Sequence, residues 1–167
     1  MQQRNALPWL ALSLAVVGLD QLTKHIVLGV LEPYVPHVVI PGFFNWNLAF
    51  NTGAAFSFLA DQQGWQRWLF TALAVVVSAV LIVWLKRTPR ADWRTALPLA
   101  LVIGGALGNL IDRVRFGHVT DFIQVYYRDW VFPSFNIADS AISIGAVLLI
   151  WFGLFAARKT AADNSLR

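Results

Sequence analysis

The stretch "FNIADSAISIGAVLLIWFGLFAA", Phe135–Ala157, decides the architecture. After Asp139 it holds only apolar, small or hydroxyl residues, and it is long enough to cross a bilayer, which takes roughly 20 mostly apolar residues. An aspartate stands at its mouth, just behind Asn136. Three further runs of the same kind precede it, so the spans are placed at about Leu7–Leu28, Trp68–Leu85, Ala96–Val114 and Ala138–Ala157. Composition agrees. The 167 residues are 57% hydrophobic and 13% charged, where soluble domains carry about 25% charged residues. Too few polar side chains exist to cover a water-facing surface, and an integral membrane protein of four transmembrane helices in a single membrane domain is expected.

Arg4 and the apolar run behind it resemble a cleaved signal sequence, but no convincing small-x-small site follows, so the first span is read as retained. Lys and Arg orient the spans. Arg4 precedes the first; Lys86, Arg87, Arg90 and Arg94 crowd the turn between the second and third; Arg158, Lys159 and Arg167 follow the fourth. Both termini are therefore expected in the cytoplasm, with the segments at about 29–67 and 115–137 outside. The formal charge of +4 lies in these flanks and forms no long basic stripe, so no nucleic-acid partner is expected. The chain has no cysteine, which excludes disulfides, thiolate metal sites and a cysteine nucleophile.

Within "FFNWNLAF" (43–50) apolar and polar residues alternate: Phe44, Trp46, Leu48 and Phe50 are expected on one face, Asn45, Asn47 and Asn51 on the other. That is strand periodicity. A small β element within about 29–67 is expected on the outer membrane surface. Trp65, Trp68, Tyr126, Tyr127 and Trp130 suit an interfacial aromatic belt.

Polar groups inside spans are costly and usually functional. Asp20 and Lys24 lie in the first span, Asn109, Asp112 and Arg113 in the third, Asn136 and Asp139 at the start of the fourth, while the second has no ionisable residue between Trp68 and Leu85. With the orientation above, all of these and Asp121 fall in one layer at the outer side. Structural readings stand beside the functional one. Asp20 and Lys24 are spaced to pair on a helix. Asp112 and Arg113 fit helix-end charges. Gly104, Gly105 and Gly108 fit close helix packing. Asn136 and Asp139 fit helix capping. Capping does not account for Asp121. Two carboxylates at one site cannot both ionise easily, so one can serve as acid and the other as base toward water, with no cofactor. No H-E-x-x-H or G-x-S-x-G motif occurs, although His118 and Asp121 at i,i+3 leave a metal-dependent hydrolase open. A small transporter would instead place polar groups along the whole depth of the spans.

"LDQLTKH" (19–25), "NTGAAFSFL" (51–59), "GGALGNLIDRVRFGHVTDFI" (104–123) and "FNIADSAISIG" (135–145) together resemble the motifs of the lipoprotein signal peptidases, or signal peptidase II, in order and over nearly the whole chain. Thr120 departs from them, since an apolar residue is more usual there. The resemblance implies a multi-pass aspartic endopeptidase of the bacterial inner membrane. It would remove the signal peptide of prolipoproteins by cutting before a diacylglyceryl-modified cysteine. It implies four transmembrane helices with a small periplasmic β-cradle, and an active site facing the periplasm. Asp121 and Asp139 match the catalytic pair; Asn51, Asn109, Arg113 and Asn136 match polar positions lining the site, and Asp20 and Lys24 match the first-helix motif. Neither cofactor nor metal is implied. The implied partners are lipidated precursors, membrane lipid and globomycin-type inhibitors, and a monomer is expected.

Overall fold

The computed structural model describes residues 5–53 and 65–165, without the side chains of residue 66 and residues 155–165. Residues 54–59 of the second motif, Arg4, Arg167 and the side chains of Arg158 and Lys159 lie outside that description.

Four helices carry the fold: α1 (Leu10–Val30), α2 (Trp65–Arg87), α3 (Trp93–Phe116) and α4 (Ile137–Ser165). Each contains a segment long and apolar enough to cross a membrane. A 3-10 turn at Leu7–Trp9, with Pro8 in its first positions, leads into α1, where the missing proline N–H costs nothing. Asp92 caps α3 by accepting the Thr95 N–H at 3.3 Å. That helix ends at Gly117, whose φ of 84° is the left-handed conformation a side chain disfavours.

The third helix is the hub. It packs against the other three and is the most buried of them. The large apolar side chains of α2 and α4 instead point outward, among them Val76, Val80, Val147 and Ile150, as expected of faces solvated by lipid. Glycines set the spacing. A Cβ at Gly104 would lie 2.8 Å from the Ser13 carbonyl oxygen of α1, and one at Gly105 would overlap the Ala138 carbonyl of α4. Both neighbours are backbone and cannot rotate away. Gly105→Ala is therefore expected to destabilise by about 1–3 kcal/mol, as overpacking does. Gly18→Ala, where a Cβ meets nothing within 4 Å, should be neutral or better. Thermal melts of the two variants check this, and equal melting temperatures would refute the packing argument.

The strands β1 (His37–Ile40), β2 (Phe44–Asn51), β3 (Val119–Tyr127) and β4 (Trp130–Val131) form one antiparallel sheet in chain order. Half of it comes from the 115–137 segment, whereas the β element is expected from sequence only within about 29–67. Gly117 turns the chain from α3 directly into β3, which pairs along β2 with Ala49 opposite Asp121 and Asn51 opposite Val119. The simple alternation expected for 43–50 is not what the strand does. The register shifts between Trp46 and Ala49, and such a bulge breaks the two-residue period. Leu48 is buried against Val27 and Phe122. Trp46 is still partly exposed beside the Phe122 ring. Asn45, expected on the opposite face from the core, is buried and donates to Gln124 Oε1 at 3.1 Å. A second apolar cluster, Ala6, Leu85, Ala96, Leu99 and Ile103, closes the other end of the helices.

Candidate active site

The polar residues of three helices and β3 meet in one buried layer, between the sheet and the apolar length of the bundle. The start of α4 places two of them. Asn136 precedes the helix; its side-chain Oδ1 accepts the Asp139 N–H at 2.9 Å, and Asp139 Oδ2 accepts the Asn136 N–H at 3.2 Å. This reciprocal pair is a capping box. Capping and site are thus one arrangement, because the remaining atoms of both side chains turn to other partners. Asn136 Nδ2 lies 2.7 Å from Asp121 Oδ1, and Asn109 Nδ2 donates to Asp139 Oδ1 at 2.7 Å. Asn136 Nδ2 also reaches Asn109 Oδ1 at 3.1 Å. Two carboxylates on separate elements are thus joined through two linked amides. Asn51, at the end of β2, hydrogen-bonds Asp121 as well.

Burial raises the Asp121 carboxyl to about 7, and the negative charge of Asp139 adds to the effect; the hydrogen bonds from Asn51 and Asn136 and the charge of Lys24 oppose it. A group so shifted keeps its proton near neutrality, the property required of a general acid.

Beneath the pair, Lys24 Nζ lies 2.8 Å from Asp20 Oδ2 and 2.9 Å from Asp112 Oδ2. Asp20 Oδ1 accepts the Ala138 N–H at 3.0 Å, and Asp112 Oδ2 accepts the Thr120 N–H at 3.0 Å. These bonds tie α1 and α3 to the start of α4 and to β3. Asp112 is buried, which corrects its reading as a helix-end charge: α3 does not end in solvent there but runs under β3. Gln21, which the motif reading passed over, donates to Asp112 Oδ1 at 2.9 Å and Gly108 O at 3.2 Å. Its signal in the sequence is an uncharged polar residue inside an apolar run. Arg113 donates to Gly53 O at 3.2 Å, with its guanidinium 5.5 Å above the Phe70 ring.

His118 packs between the rings of Phe50 and Phe116, at 4.5 and 6.0 Å. Among the described residues no three His, Asp or Glu side chains cluster closely enough to hold a metal ion.

Both aspartates open onto a cavity of about 900 Å³. Phe70, Leu73 and Val77 of α2 form one wall, and Ile142 and Ile144 of α4 another, with Phe132–Phe135 at the end nearest the sheet. The walls are mostly apolar; the polar groups gather at one end.

The sequence matches the family model for signal peptidase (SPase) II over residues 12–155. The chain belongs to the signal peptidase II family. It is 58% identical over 163 residues to the lipoprotein signal peptidase of Xanthomonas campestris pv. campestris (strain 8004), covering 96% of this chain and 98% of that one. It is 57% identical over 155 residues to the lipoprotein signal peptidase of Pseudomonas syringae pv. tomato, covering 92% and 89%. A bacterial membrane enzyme solved by the in meso method at 2.3 Å superposes with a TM-score of 0.80 at 30% identity, covering 94% of each chain. As a signal peptidase II the protein is a protease, and its four membrane-capable helices make it a multi-pass membrane protein.

Within this signal peptidase II the Thr120 side chain carries a cost. Its N–H and C=O are bonded, to Asp112 and Asn136, but its buried Oγ1 has no partner among the described residues. An unsatisfied buried hydroxyl costs about 1–3 kcal/mol. Thr120→Val, which keeps the shape, should raise the melting temperature with cleavage intact. A lower melting temperature would mean that the hydroxyl is satisfied.

Proposed function

We propose that this protein is an aspartic endopeptidase that removes the signal peptide of prolipoproteins, cutting just before a diacylglyceryl-modified cysteine, with Asp121 and Asp139 as the catalytic pair. One observation carries the reading: the two carboxylates are joined through Asn109 and Asn136 and face the polar end of an otherwise apolar cavity. A signal peptide is an apolar helix. The trough between α2 and α4 offers it a wall of the same polarity, with the scissile bond emerging at the aspartates.

The chemistry follows from the donors. Both oxygens of Asp139 accept N–H groups, from Asn109 and from the Asn136 backbone, and its carboxylate sits in the first turn of α4, where the helix dipole favours negative charge. Asp139 is the base. It takes a proton from a water held between the pair, and the water oxygen attacks the carbonyl carbon of the residue before the cysteine. Asp121 gives its proton to the carbonyl oxygen, forming a geminal diol. The diol returns a proton to Asp121 while Asp139 passes the one it took to the amide nitrogen. The C–N bond then breaks, leaving a carboxyl terminus on the signal peptide and a free amine on the lipidated cysteine. Arg113 and Asn51 hold substrate carbonyls or the strand end beside the pair. The bias of Lys and Arg toward the two termini and the turn between α2 and α3 supports cytoplasmic termini and a site at the periplasmic face.

Incubating the purified protein with a lipidated prolipoprotein, and identifying the released peptide by mass spectrometry, tests the reading. Release with the cysteine as the new N-terminus supports it; an intact precursor refutes it. The pH profile adds a signed expectation. Asp121 is raised to about 7, so its proton is present below that value and lost above it. Turnover should therefore fall as pH rises through about 7, toward tenfold per pH unit. A rate rising between pH 7 and 9 would remove Asp121 as the acid.

A further inference from the structure

The buried lysine beneath the pair has one contact that helix pairing does not require. An ammonium has three N–H donors, and Lys24 spends them on Asp20 Oδ2, Asp112 Oδ2 and Asn109 Oδ1, the last at 3.0 Å. Lys24 is 3% exposed, so water does not substitute for any of them. Asn109 Oδ1 also accepts from Asn136 Nδ2 at 3.1 Å. Both lone pairs of that carbonyl oxygen are then occupied, and the Asn109 nitrogen is left facing Asp139 Oδ1 at 2.7 Å. With the amide turned over, its NH2 would face an ammonium and another NH2, and its oxygen would face a carboxylate. Only one orientation satisfies the donors and acceptors.

Asn136 is a poor substitute for the lysine in this role. Its NH2 group has two hydrogens and three acceptors in reach: Asn109 Oδ1, Thr120 O at 3.3 Å and Asp121 Oδ1 at 2.7 Å. The charged donor is the stronger constraint, since charge-assisted hydrogen bonds are about twice as strong as neutral ones.

We propose that Lys24 is a positioning residue for the reaction: its ammonium locks the Asn109 amide with the nitrogen toward Asp139, and this lock keeps Asp139 the ionised member of the pair. The inference rests on the dyad reading above. Without the lysine the amide is free to turn its oxygen to Asp139. A carboxyl facing that oxygen is stabilised when it carries a proton and can no longer accept one from water. Substrate binding, made by the cavity walls, is untouched. A merely structural Lys24 would lower stability and leave turnover by the folded protein unchanged.

The test measures kcat and KM for a lipidated precursor, with a thermal melt, for Lys24→Met, the triple variant Lys24→Met/Asp20→Asn/Asp112→Asn, and Asn109→Asp. The single change strands two buried carboxylates, which is costly; the triple change removes the three charges together and is read if the single one unfolds. In Asn109→Asp both acceptor contacts survive, but no donor remains for Asp139. Each folded variant should lose about 100-fold or more in kcat, the scale of one acid–base contribution, with KM within about threefold. Adding Lys24→Met to Asn109→Asp should cost little more, since residues acting as a unit are non-additive. Should both lysine variants unfold, Asn109→Asp decides. A kcat within about tenfold of the parent in any folded variant overturns the proposal. Asp121→Asn is run in parallel: if it cleaves, the dyad reading fails; if it is inactive while a lysine variant cleaves, only the role of Lys24 fails.

Discussion

Asp121→Asn and Asp139→Asn should each reduce turnover of a lipidated precursor by about 10²–10⁴-fold, the usual worth of a general acid or base, and the double variant should be little worse than either. Asparagine preserves size. At 121 its oxygen can still accept from Asn136 Nδ2, but Asn51 bonds the same carboxylate, so one of the two contacts is weakened. At 139 the same limit applies. The carboxylate accepts from both Asn109 Nδ2 and the Asn136 N–H, and an asparagine has one oxygen for two donors. Some loss of stability, about 1–3 kcal/mol for one buried group left unpaired, is expected with Asp139→Asn, and a thermal melt separates it from the catalytic loss. Asp112 is no control, because it is bonded to Lys24, Gln21 and Thr120. Asp92→Asn is the better one. It lies at the far end of α3, where asparagine caps as well as aspartate, so cleavage should be unchanged. Activity should also persist in a chelator. Cleavage near the parental rate by a folded Asp121→Asn or Asp139→Asn protein would end the aspartyl mechanism.

The second large effect concerns the substrate. A precursor without diacylglycerol should be cut at least about 100-fold more slowly than the lipidated one. Each methylene placed in lipid contributes about 0.8 kcal/mol of anchoring, and two acyl chains hold the cysteine at a fixed depth. The protein is suited to that depth. The sheet that carries Asp121 exposes Val38, Ile40 and Trp46, and Phe43 is exposed in the turn before β2, an apolar surface suited to acyl chains rather than water, and Phe132 and Phe135 line the cavity onto which the pair opens. The comparison needs matched precursors differing only at the cysteine, with rates measured below saturation. Equal rates would show that the peptide alone places the bond.

Much of this was legible from the residues alone. Four long apolar runs with few charges have one soluble-chain alternative, a core too large for the surface available, so the spans follow from composition. The sorting of Asp20, Lys24, Asn109, Asp112, Arg113, Asn136 and Asp139 into one layer also follows, because charges inside apolar runs are costly enough to be placed where they have partners. Other features depended on contacts between residues distant in the chain. Asp121 lies on a strand because Gly117 reverses the chain under β2, and the bulge in β2 buries Asn45 against the period expected of it. The Asp20–Lys24 spacing predicts a pair on one helix. Only the approach of α1 to α3, permitted where glycines 104 and 108 lack side chains, adds Asp112 and Asn109 as partners and turns the pair into a support for the aspartates. Sequence periodicity reports the face of an element. Which donor meets which acceptor depends on how closely the helices pack, and in this protein that distance is set by missing side chains.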